Sequence, residues 1–153
     1  MLAGPFRGDE ALAAGELTRN ELFGPRFQRV FPGVFAPAGR AVDFTMRTHA
    51  AYLLVKDRGG VLAGYSAALL LGAGCASFDA PAEVLVPTDA RCHPGLRVCR
   101  DRLVDSEIAT VAGHRVTSAA RTAWDLARRL PLVWRPWSRW TPWRGSAGSH
   151  LPT

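Results

Sequence analysis

Apolar and polar positions alternate in short blocks over the first 133 residues. Residues 9–17, DEALAAGEL, pattern as a short helix with Gly15 as its break or cap. Residues 18–23, TRNELF, pattern as a second helix. Thr18 is the N-cap candidate, and Glu21 stands three residues on, the spacing of a capping box. Gly24-Pro25 stops that helix. RFQRVFPGVFAPAG then mixes arginine with aromatic and β-branched residues. Phe31-Pro32-Gly33-Val34 predicts a turn leading into a short strand that ends at Pro37. Helix, turn, helix and a basic strand-like arm are the element order of a small winged-helix module, which is expected over residues 6–42.

Further along, residues 43–56 predict a helix started by Asp43 and ended by Gly59-Gly60. Its apolar stripe is read as Phe44, His49 or Ala50, Leu53 or Leu54, and Lys56. Val61-Leu62 predicts a strand, and Ser66–Leu71 a buried short helix with Ser66 near its cap. Residues 83–86 predict a strand closed by Pro87. Residues 96–99 predict another, with Leu96 and Val98 on one side and Arg97 and Cys99 on the other. His93-Pro94-Gly95 fits a turn between the two. EIATVAGHRVT predicts two short strands around Ala112-Gly113. SAARTAWDLARRL predicts the clearest helix, capped by Ser118. One broad face carries Ala119 or Ala120, Ala123, Leu126 or Ala127, and Leu130. Arg121, Asp125, Arg128 and Arg129 lie elsewhere, with Arg121 and Asp125 a structural pair at i,i+4. The fold class expected is α+β: a small winged-helix-like N-terminal module, then helices packed on a short mixed or antiparallel sheet over residues 43–133.

The pattern breaks at Trp134. Four tryptophans follow at every third position, among Arg, Pro and Ser, with no acidic residue. Such a period suits polyproline II, or an aromatic and cationic surface for a membrane or single-stranded nucleic acid. A change of reading phase explains it better. WRPWSRWTPWRG, back-translated with GC-rich codons and read one base earlier, spells VEAVVAVDAVAG, an ordinary amphipathic continuation of RRLPLV. Residues 134–153 are therefore expected to be an irregular, disordered Trp/Arg/Pro tail produced by a frameshift near Val133. The nucleotide sequence around codon 133 tests this.

Composition changes the picture only slightly. The formal charge of +6 suggests a nucleic-acid partner, but three of its arginines belong to the tail. The preceding residues carry sixteen basic and thirteen acidic side chains, a mildly basic body. No apolar run is long enough for a membrane span. The N-terminus lacks a signal core, and Cys75, Cys92 and Cys99 form no CxxC pair. A cytoplasmic protein is expected.

GELTRNELFGPRFQRVFPGVFAP, GYSAALLLG, HPGLRVCRDRL, the Glu107–Thr117 stretch and SAARTAWDLARRLPLV together resemble a family. It comprises actinobacterial proteins that join an AbiEi-type antitoxin region to a DUF559 domain similar to very-short-patch-repair (Vsr-like) and restriction endonucleases. The resemblance covers roughly residues 6–133. It implies an N-terminal piece descended from a DNA-binding antitoxin or repressor domain, and a nuclease domain that would follow residue 133 and is missing here.

Arg19, Asn20, Arg26, Gln28, Arg29 and Arg40 are the candidate DNA-contact set, since arginine supplies both charge and donors to phosphate. Glu16 and Glu21 oppose that role, and a plain solvated face is the alternative. Cys92, His93, Cys99 and His114 invite a zinc reading, but the spacing has adjacent ligands and no knuckle, so no metal is expected. Asp79, Glu83, Asp89, Asp101, Asp105 and Glu107 offer many carboxylates with nothing to force convergence. No catalytic residue, cofactor or small-molecule substrate is expected, and the protein is read as no enzyme. The expected function is an antitoxin- or transcriptional-regulator-like module binding double-stranded DNA, or a truncated remnant of one. The alternative is an accessory fragment that binds a toxin or nuclease protein.

Overall fold

The computed structural model describes residues 3–129. The Trp-rich segment 134–153 lies outside the described residues.

The chain begins with a two-residue strand β1 (Phe6–Arg7), helix α1 (Gly8–Ala13) and helix α2 (Arg19–Leu22), followed by a hairpin of β2 (Phe27–Phe31) and β3 (Val34–Pro37). The caps predicted at Gly15 and Thr18 are formed. Gly15 N–H reaches Leu12 O at 3.1 Å and Glu16 N–H reaches Ala11 O at 3.1 Å, the paired bonds of a Schellman motif. This ends α1 four residues before the expected limit. Thr18 Oγ1 accepts from Glu21 N–H at 3.3 Å while Glu21 Oε2 accepts from Thr18 N–H at 2.8 Å. That capping box fixes the start of α2. Phe31 pairs with Val34 across Pro32-Gly33, and Gly33 takes a φ of 75°, which proline before it and glycine itself both suit.

The strand order is β1-β3-β2, all antiparallel. β1 escapes a sequence reading because two residues carry no periodicity; only pairing with Val34 and Phe35 makes them a strand. One face of this sheet buries Phe6 and Phe35 against Ala11 and Leu22. The other turns Phe31 and Val34 into the main core with Ala50, Ala51 and Val55. The N-terminal sheet and the rest of the protein therefore share one apolar interior.

Helix α3 (Phe44–Val55) runs between the two sheets, against β2 and β3 on one side and the larger sheet on the other. Asp43 caps it by accepting from Met46 N–H at 2.7 Å. Its buried residues are Phe44, Met46, Thr48, Ala50, Ala51 and Val55, while Leu53 and Leu54 stay half-buried. The single stripe read from the sequence is thus replaced by burial on two sides. A sandwiched helix has no one apolar face for a 3.6-residue period to reveal.

A 3-10 turn (Lys56–Arg58) leads to β4 (Val61–Leu62), helix α4 (Gly64–Leu70), β5 (Ala82–Val86), β6 (Leu96–Arg100), the hairpin β7 (Ile108–Val111) and β8 (His114–Thr117), and helix α5 (Ala119–Ala127). The sheet order is β6-β5-β4-β8-β7. It is mixed: β5–β6 and β4–β8 are parallel, β4–β5 and β7–β8 antiparallel. The fold is α+β. The Ala112-Gly113 turn forms as read, with φ of 48° and 78° suited to a type I′ hairpin. His93-Pro94-Gly95 does not close a hairpin, because β5 and β6 run parallel; it delivers the chain to β6 through a bridge between His93 and Leu96.

Two further differences concern hydroxyls and helix orientation. Ser66 lies inside α4, whose N-cap is Ala63, and is fully buried. Its Oγ accepts from Glu83 N–H at 2.9 Å and shares a hydrogen bond with Thr48 Oγ1 at 3.0 Å, tying α3, α4 and β5 together. Ser118 does cap α5, but Ala119, Ala120, Ala123 and Ala127 are exposed. The inward face carries Thr122, Arg121 and Asp125. The neighbouring surface presents carboxylates, and leaving those without cations would cost more than exposing alanine.

Candidate functional site

Two arginine-centred arrangements stand out. The first is built on Arg121, whose side chain is 11% exposed. Its Nη2 donates to Asp101 Oδ2 at 2.6 Å, its Nη1 to Glu107 Oε1 at 2.9 Å, and its Nε to both oxygens of Asp125 at 3.1 and 3.2 Å. The loop after β6, the turn before β7 and α5 thereby meet at one guanidinium. Hydrogen bonding to Asp101 is the largest influence raising the Arg121 pKa, and Glu107 and Asp125 reinforce it. The Arg121 bond in turn holds the Asp101 carboxyl below its ordinary value. Glu107 is lowered first by the Val104 N–H and then by Arg121.

Convergence of carboxylates was not expected from the sequence, yet Asp101, Glu107 and Asp125 do converge. A cation already occupies the centre. Both Asp101 oxygens are engaged, by Arg121 and by Arg102 N–H at 2.8 Å. Both Glu107 oxygens are engaged, by Arg121 and by Val104 N–H at 3.1 Å. Nuclease-type metal sites need carboxylate lone pairs turned toward an ion, and these are turned toward Arg121. Among the described residues no group of three or more His, Cys, Asp or Glu side chains is placed to hold a metal ion.

Other sequence candidates fall apart in space. Cys75 and Cys92 are exposed, and Cys99 is half-buried on β6. His114 faces His49 instead, with Nε2 3.0 Å from His49 Nδ1. Glu83 is buried on β5, where Arg129 Nη1 donates to Oε2 at 2.5 Å and Arg97 lies 3.8 Å from Oε1. Gly64 (φ 53°) packs so close that a Cβ there would sit 1.7 Å from Glu83 Oε2.

The second arrangement is a pair of adjoining grooves. One, of about 620 Å³, runs between the α1–α2 segment and the 3-10 turn, and is lined by Arg19, Arg29 and Arg58. The other, of about 740 Å³, shares Arg29, Pro32, Leu54 and Arg58 with it and continues to Arg91 and His93. Carboxylates also line them, but each is engaged: Asp9 and Asp57 share Arg7, and Asp89 binds Arg100 at 2.7 Å. Arg19, Arg29, Arg58 and Arg91 form no ion pair among the described residues.

The six candidate DNA contacts are split by this geometry. Arg19 and Asn20 are exposed in the first turn of α2, and Arg29 is exposed on β2, so Arg19 and Arg29 share a groove. Arg26 and Arg40 line a different depression beside Phe27 and Pro37. Arg26 stands 3.9 Å from Glu21, and Arg40 Nη1 donates to Ala3 O at 2.6 Å. Gln28 Nε2 donates to Pro37 O at 3.0 Å and Arg40 O at 2.6 Å, fastening the end of the hairpin. Arg58 and Arg91 had no signal in the sequence, since each sits singly in a polar loop.

Comparison with protein families, with curated proteins and with solved structures finds no match for this chain. Among the described residues no helix is long and apolar enough to cross a membrane.

Proposed function

We propose that this chain is an antitoxin- or repressor-like module that contacts double-stranded DNA through α2 and the β2–β3 hairpin. The observation that carries the reading is the placement of Arg19 and Arg29. Two short helices are followed by a hairpin, and the exposed arginine of the second helix and that of the hairpin line one groove without a carboxylate partner. In helix-turn-helix proteins the first residues of the second helix reach the base edges. Arg19 and Asn20 hold those positions here. The resemblance to AbiEi-type regions is in line with the same reading. The four-residue length of α2 favours phosphate contacts over extended base readout.

Titration of the full chain against a fluorescent DNA duplex tests this. Salt-dependent binding that weakens in Arg19→Ala and Arg29→Ala is expected. Binding insensitive to salt, or no binding at 50 mM salt, overturns it. The full chain is required because Phe31 and Val34 of the hairpin belong to the common core.

The outer face of α5 favours a second reading, an accessory fragment that docks on a toxin or nuclease protein. Ala120, Ala123, Trp124 and Ala127 are exposed together, with Arg128 4.3 Å from the Trp124 ring. Retention of a defined toxin or nuclease by the full chain, abolished by Ala123→Glu, is the result this second reading expects.

A further inference from the structure

We infer that the DNA-contact surface is not confined to residues 6–42: Arg58, on the 3-10 turn after α3, and Arg91, on the connection between β5 and β6, are phosphate contacts continuous with Arg19 and Arg29. The inference rests on the DNA-binding reading and extends its footprint across the larger sheet.

Three observations carry it. The two grooves adjoin, and Arg29 and Arg58 line both, so the four arginines form an unbroken strip. The strip stays net positive, because five arginines (Arg7, Arg19, Arg29, Arg58 and Arg91) line it against three aspartates, and Arg7 and Arg100 engage those aspartates. Both arginines are exposed at turns on which nothing else packs their charge. Several other arginines of this half are engaged: Arg47 donates to the carbonyls of Ala80 and Val42, Arg97 and Arg129 face Glu83, and Arg121 holds three carboxylates, while Arg102 and Arg115 form no ion pair among the described residues but line neither groove. Sequence-distant arginines left unpaired along one path match a charged backbone that has its own regular spacing of anions.

The strip also has apolar positions, including Leu54 and Pro32, which an acidic amphipathic peptide would use and a phosphate backbone would not. The experiment separates the two. The full chain is titrated by fluorescence anisotropy with a 24-base-pair duplex of arbitrary sequence between 50 and 200 mM salt. The Arg58→Gln/Arg91→Gln double variant is compared with wild type and with Arg102→Gln, an arginine that lines neither groove. Each lost phosphate contact removes about 0.9 from the slope of log K against log salt, so the double variant is expected to lose about 1.8. Arg102→Gln is expected to leave the slope unchanged. If Arg19→Gln and Arg29→Gln weaken binding but the double variant keeps the wild-type slope, the extended footprint is wrong and the DNA reading stands. If Arg102→Gln lowers the slope as much per charge, the effect is general charge and the footprint is again wrong. If the wild type binds no duplex but binds a poly-glutamate peptide through these arginines, the DNA reading and its extension both fall.

Discussion

His49 and His114 meet nitrogen to nitrogen, with His49 Nδ1 3.0 Å from His114 Nε2 and the rings tilted at 66°. The pair joins α3 to the β7–β8 hairpin across 65 residues of sequence. Its protons are dictated by a carbonyl. Ala112 O can only accept, so His114 Nδ1, 2.9 Å away, donates to it. In the tautomer with Nε2 unprotonated, His114 accepts from His49 Nδ1. Tyr52 covers His114, with the ring centroids 4.7 Å apart.

The consequence is a pH dependence. Burial lowers the His49 pKa below 6.5 and the neighbouring His114 lowers it further, while Asp43 opposes them. The unfolded chain therefore takes up this proton first. Stability that is complete above pH 6.5 is expected to decline as pH falls from there, with unfolding midpoints in urea moving lower between pH 7 and 5. His49→Gln should flatten that decline. A variant with the wild-type slope would show that His49 is not its source.

Arg121→Ala is expected to destabilise the fold by about 2 kcal/mol, less than a fully buried network loses because Asp101 remains half exposed. Asp101, Glu107 and Asp125 would then face one another without a cation. The folded-state pKa values of Asp101 and Glu107 lie below their ordinary 3.8 and 4.5. Their stabilisation is thus present at neutral pH and lost as pH falls through those lowered values. Acid titration of the variant should lack the part of this component that Arg121 supplies, while the Arg102 and Val104 N–H bonds keep the rest. Arg121→Lys should not restore it, since an ammonium cannot fork to three carboxylates. Denaturation curves at pH 7 and pH 3 decide the matter.

Gly64→Ala is expected to be worse than an ordinary helix substitution. The added methyl would meet the Glu83 carboxylate, and the φ of 53° disfavours any side chain. Displacing a buried carboxylate from Arg129 and straining the backbone together should cost about 3 kcal/mol. Gly74→Ala, whose nearest contact to an added Cβ is a Leu69 methyl at 3.7 Å, is the matched control. Thermal melts of the two variants should differ clearly.

Gln28→Ala separates structure from binding. The Gln28 amide holds Pro37 O and Arg40 O, so its loss should lower stability by about 1–2 kcal/mol. The salt slope for duplex DNA should stay at the wild-type value. A changed slope with unchanged stability would place Gln28 on the ligand.

The features legible in the sequence are those settled within a few residues. Thr18 with Glu21, Asp43 with Met46, and Ser118 with Arg121 are caps closed three positions on. Pro32-Gly33 and Ala112-Gly113 are turns whose own dihedrals demand those residues. Such signals survive without a partner from elsewhere in the chain. The candidate site was legible only in part. Arg19 and Arg29 lie together, but Gln28 fastens the hairpin and Arg58 and Arg91 gave no local sign.

Tertiary structure decided everything that depends on contacts between distant segments. It set β5 and β6 parallel, gave α3 two buried sides, and made a strand of Phe6–Arg7. It turned α5 with Arg121 inward and Trp124 outward because Asp101, Glu107 and Glu83, far back in the chain, needed cations. A helix's periodicity says which residues share a face. Only the charge and shape of the surface beneath determine which face is covered.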